Sequence, residues 1–75
     1  VLYRAPQVLE AREAVEETDD PAELQTMLEE NQRLQAGVIQ RISDAFHKGQ
    51  PHSAASAAMQ LTYLVRLEEG IIEKL

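Results

Sequence analysis

An all-α fold, an antiparallel three-helix bundle, is predicted by three features of this 75-residue chain. Apolar residues recur three and four apart instead of alternating. Two proline-marked boundaries cut the chain into three segments. The links between those segments are short, which favours antiparallel neighbours. Helices are expected at about 6–17, 21–48 and 51–74, in one domain spanning 1–75.

The first boundary is Thr18-Asp19-Asp20-Pro21-Ala22-Glu23. Asp20 stands as N-cap, Pro21 occupies the first helical position, where its missing N–H costs nothing, and Glu23 is the acid of a capping box. The second is His47-Lys48-Gly49-Gln50-Pro51. Basic residues there suit a last turn, glycine suits the left-handed position beyond it, and proline starts the next helix.

The middle segment carries one stripe of Leu24, Met27, Leu28, Leu34, Val38, Ile42, Ala45 and Phe46. Asn31 interrupts this stripe. Either it is a buried amide that fixes register or it faces solvent on a slightly rotated helix. The last segment places Ala54, Ala57, Ala58, Leu61, Leu64, Val65, Ile71, Ile72 and Leu75 on one broad face, with alanines permitting close helix approach at one end.

Some apolar residues fall off these faces. With the last stripe centred on Leu61, Met59 lies about 160° and Tyr63 about 200° round, and Leu67 falls between the two faces. Met59, Tyr63 and Leu67 then form a second apolar patch in successive turns, with Tyr63 directed away from the core. In the first segment Val8, Ala11 and Val15 face inward. Leu9, about 100° from Val8, groups with Glu13 and Glu16. Apolar anchors rimmed by charge are the anatomy of a protein-binding hot spot.

Charge narrows the partners. Seven basic and thirteen acidic residues give a net charge of -6, which repels nucleic-acid backbones and anionic lipid alike. Nine of the carboxylates fall between Glu10 and Glu30, beside a single base, Arg12. The run is either a solvated face or a docking surface for a basic partner. No apolar run is long enough to span a membrane, and the amino end has neither the basic flank nor the apolar core of a signal peptide. The absence of cysteine removes disulfides and thiolate metal sites and fits a reducing compartment.

No catalytic, cofactor-binding or metal-binding residues are expected. His47 and His52 flank a turn without an acid at helical spacing from both. Three glycines cannot build a phosphate-cradling loop, and no hydroxyl sits in a nucleophile context. Arg12, Arg33, Arg41 and Arg66 read as scattered cations.

Two motifs carry a family likeness. Val8-Leu9-Glu10-Ala11-Arg12-Glu13-Ala14-Val15 and Leu61-Thr62-Tyr63-Leu64, with the acidic turn and the Phe46-to-Ala58 region between them, resemble the C-terminal domain of the HscB-type J-protein co-chaperones of iron–sulfur cluster assembly. The resemblance covers about residues 7–75. It implies a three-helix bundle, not an enzyme, that binds the iron–sulfur cluster scaffold protein and delivers it to a DnaK-class chaperone. Contact with that chaperone belongs to a J-domain with a His-Pro-Asp motif, which these 75 residues do not contain. Carried over by position, Leu9, Glu10, Glu13 and Tyr63 correspond to the scaffold-contacting surface, and Met59 and Leu67 join them from the patch argument. The chain departs from the family pattern at Val1 to Pro6, which lack the usual Leu-Met-Glu lead-in, and at Thr62, where a basic residue is common. The mitochondrial matrix is the expected compartment, with bacterial cytoplasm as the alternative. The competing reading is an unrelated self-associating or structural bundle, a homodimer in which the off-face residues bury against a second copy.

Overall fold

The computed structural model describes residues 4–75, with side chains from Ala11 onward. Three helices follow in order: α1 at Arg4–Glu17, α2 at Pro21–His47 and α3 at Pro51–Lys74. The fold class is the all-α, three-helix arrangement expected. Two ends differ from expectation. α1 begins at Arg4, so Pro6 lies in its first turn, where a helix tolerates proline. α2 stops at His47, because Lys48 is already its cap.

Both boundaries carry the expected caps, although among the described residues Glu23 makes no bond back to the Asp20 N–H and the expected capping box does not close. Asp20 has extended backbone and its Oδ1 accepts from the Ala22 N–H at 3.0 Å, with Pro21 opening α2. At the other turn Gly49 takes a φ of 66°. That left-handed residue lets the Gln50 N–H reach the Ala45 carbonyl at 2.8 Å and the Gly49 N–H reach the Phe46 carbonyl at 3.2 Å, the paired bonds of a Schellman turn.

The buried positions of α2 are Leu24, Asn31, Val38 and Ala45, and those of α3 are Ala54, Ala57, Leu64 and Ile71. The α2 set, and the last three of α3, recur at seven-residue steps. This is the spacing of a left-handed coiled-coil seam, tighter than a straight helix repeat. Antiparallel pairing sets Leu24 against Ile71, Asn31 against Leu64 and Val38 against Ala57. Each level is occupied accordingly. Leu24 and Ile71 share one cluster with Val15, Asn31 Nδ2 donates to the Leu64 carbonyl at 3.0 Å, and Val38, Ala57 and Leu64 form a second cluster. Asn31 is thus the buried register amide, only 3% exposed, and its own Oδ1 accepts from Gln35 Nε2 at 2.6 Å.

A seven-residue seam explains which expected core residues are not core. Phe46 follows the seam position Ala45 by one residue and is 72% exposed, and Ile72 follows Ile71 and is 53% exposed. Leu34, Leu75 and Ala58 also lie in the open. No third helix covers the flank that Phe46, Ala58 and Ile72 share, whereas Leu34, three residues past Asn31, lies on the other side of the seam. α1, with 14 residues, is about 21 Å long, against about 40 Å for the 27 residues of α2. It packs chiefly on α3. The molecule is accordingly flat, 43 × 24 × 14 Å, with a radius of gyration of 13.7 Å, against about 11 Å for a compact domain of this length.

Candidate functional site: the groove between α1 and α3

α1 meets α3 on the flank opposite the open one. Val15 is buried beside Leu24 and Ile71, with Met27, Leu28 and Leu67 packed around them. Beside this contact runs an open groove of about 700 Å³. Arg12 and Glu16 line it from α1, and Met59, Tyr63, Arg66 and Leu67 from α3, with Glu73 and Lys74 at one end. The three α3 residues expected to form a patch, Met59, Tyr63 and Leu67, therefore do line one surface.

Their depth differs from the expectation. Met59 is 75% exposed, as its place on the wheel implied. Tyr63 does not point away from the core. It is half-buried and packs on the Val38–Ala57–Leu64 cluster. The reason is rotation. Burial on α3 centres on Leu64, about 60° from Leu61, and this brings the Tyr63 side of the helix toward α1. Burial raises the Tyr63 pKa above its ordinary value, and the nearby Arg12 guanidinium opposes that shift. The phenol is neutral at physiological pH. Leu67 turns inward as well, onto the Val15 cluster.

On α1, Glu13 is exposed, outside the groove lining. The side chains of Val8, Leu9 and Glu10 lie outside the described residues, although their backbone belongs to α1. Arg12 and Arg66, which read as scattered in the sequence, line the same groove with Lys74. Glu16 and Glu73 line it too, so the groove wall is mixed in charge. The other acids of this stretch, Glu13, Glu17, Asp19, Asp20 and Glu23, are exposed and lie outside the groove lining. The spacing of Arg66 from Met59 was the available signal for its place. Nothing in the sequence marked Lys74.

Among the described residues no three histidine, aspartate or glutamate side chains converge as a metal site would require, and no helix is long and apolar enough to cross a membrane. Half-buried apolar side chains form the floor of the groove and charged groups border it, a composition that suits contact with a protein surface.

The family model for the HSCB C-terminal oligomerisation domain matches residues 6–72. No curated protein and no solved structure gives a match. The matched stretch takes in all of α2, most of α1 and α3, and both helix boundaries. The chain belongs to the C-terminal domains of the HscB-type co-chaperones of iron–sulfur cluster assembly, a family that is not one of enzymes.

Proposed function

We propose that this domain binds the iron–sulfur cluster scaffold protein at the α1–α3 groove and presents it to a DnaK-class chaperone through a J-domain outside these residues. The observation that carries the reading is the gathering of Met59, Tyr63 and Leu67 in a groove bordered by α1, next to the acidic surface of that helix. Family membership supports the partner class. In this reading Tyr63 and Met59, with Leu9 from α1, are the apolar anchors, and Glu10 and Glu13 steer a basic partner toward them. A cysteine-free chain suits the mitochondrial matrix, which we propose as its compartment.

The test is the affinity of purified scaffold protein for single variants, measured by surface-bound kinetics at low and high salt. Leu9→Ala, Met59→Ala and Tyr63→Ala should each weaken binding by about 1–3 kcal/mol, mainly through faster dissociation. Glu10→Gln and Glu13→Gln should slow association and flatten its salt dependence. Parent-like kinetics in every variant, each shown to be folded, would sink the assignment.

A second reading is favoured by the other flank of the hairpin. Ile39, Phe46 and Ile72 each follow a seam residue by one position, on the flank where Gln32 reaches Glu68, and each is more than half exposed. We propose self-association there, in line with the oligomerisation named in the family description. Sedimentation should show a concentration-dependent mass that Ile39→Asp and Ile72→Asp abolish. A strictly monomeric parent at high concentration rules it out.

A further inference from the structure

The C-terminal end of α1 is held by a residue almost sixty positions away. α1 has no basic residue in its last turn, so no local cation answers its free carbonyls or the negative end of its dipole. Thr18 satisfies one of them, donating to the Ala14 carbonyl from its backbone N–H at 3.1 Å and its Oγ1 at 2.6 Å. The next two, Val15 and Glu16, each accept from Lys74 Nζ at 2.7 Å. Asp19 Oδ1 lies 3.5 Å from the same ammonium. Three donors on one nitrogen thus face three acceptors around the end of one helix.

Lys74 does this from α3, one turn beyond Ile71, so its stem lies beside the Val15–Leu24–Ile71 cluster. The side chain is 26% exposed, which strengthens the two carbonyl bonds relative to a fully solvated pair, whereas Asp19 is 94% exposed and adds little. Among the described residues of α1 only Val15 is buried. Beside that buried valine, the charge-assisted tie from Lys74 fastens the helix end to α3.

We propose that Lys74 is a positioning residue for partner binding. It clasps the C-terminal end of α1 to α3, so that Arg12 and Glu16 from one helix and Tyr63 and Leu67 from the other present one surface. The clasp stands on the geometry alone. Its consequence for binding rests on the scaffold reading above.

The test compares the parent protein with Lys74→Met, Lys74→Arg and Asp19→Asn, by amide hydrogen exchange and by titration with the scaffold protein. Methionine keeps the apolar stem and removes the donors. Lys74→Met should speed exchange of the residue 11–17 amides about tenfold and leave the seam amides of Val38 and Leu64 unchanged. Its scaffold affinity should fall by about the same factor. Lys74→Arg should restore most of both, and Asp19→Asn should move either by no more than about twofold. Faster exchange at Val38 and Leu64 to the same extent would make Lys74 a general stabiliser and overturn the clasp, as would parent-like exchange in α1. Faster α1 exchange with undiminished scaffold affinity overturns the positioning role. A parent that does not bind the scaffold at all overturns the scaffold reading and the binding half of this proposal, while the exchange rates still decide the clasp.

Discussion

The two ends of the α2–α3 hairpin are held together by different means. At the end near α1, large side chains fill the seam: Leu24 and Ile71 are each 1% exposed, Val15 packs on them, and Lys74 ties the third helix down. At the turn end the seam narrows to Ala45, Ala54 and Ala57, two helices suffice, and Gly49 closes the chain between them. Small residues let two backbones approach until little space is left to fill, whereas large ones open a wedge that a third helix must cover. The third helix thus sits where the seam side chains are largest, and the groove with Tyr63 forms along its border.

If that contrast is correct, truncation at the wide end should produce the largest effect. Leu24→Ala, measured by chemical denaturation, should cost about 2–5 kcal/mol, since a fully buried leucine leaves a cavity that three helices cannot all close. A cost below about 1 kcal/mol would mean that the α1 end is loosely packed. The turn end should respond to backbone chemistry instead. Gly49→Ala puts a side chain on a φ of 66° and should cost about 1–2 kcal/mol, although no atom lies near enough to clash with the added methyl. An unchanged midpoint would show that the turn does not set the stability of that end.

A smaller effect sharpens the picture at the groove. Tyr63 has a raised folded-state pKa, caused first by burial and countered in part by Arg12. Its contribution is therefore fully present below the ordinary tyrosine value of about 10 and is lost as pH rises through the higher folded value. Denaturation midpoints of the parent should fall over that alkaline window by more than those of Tyr63→Phe. Parallel profiles for the two proteins would place Tyr63 in solvent.

Much of the fold was legible because its signals are local. Asp20-Pro21 and Gly49-Gln50-Pro51 fix both turns within a few residues of sequence, and each performs the backbone task its chemistry suggests. The core was legible only in part. A repeat of 3.6 residues admits Leu34 and Phe46 to the stripe, whereas the actual seam steps by seven and leaves them exposed. Met59, Tyr63 and Leu67 line one groove as their spacing suggests, but the depth of Tyr63 depends on which side of α3 receives α1, and one helix read alone does not contain that information. Lys74 was invisible for a stronger reason. Its partners are backbone carbonyls, identical at every residue, and only the folded chain says which two they are.

Backbone amide shifts of the labelled protein, followed as unlabelled scaffold protein is added, test most directly whether the α1–α3 groove is the binding surface. Perturbations should gather on residues 9–17 of α1 and around Met59, Tyr63 and Leu67 of α3, and leave Ile39, Phe46 and Ile72 on the open flank unmoved. Shifts confined to that open flank, or no shifts at saturating scaffold, would contradict the account.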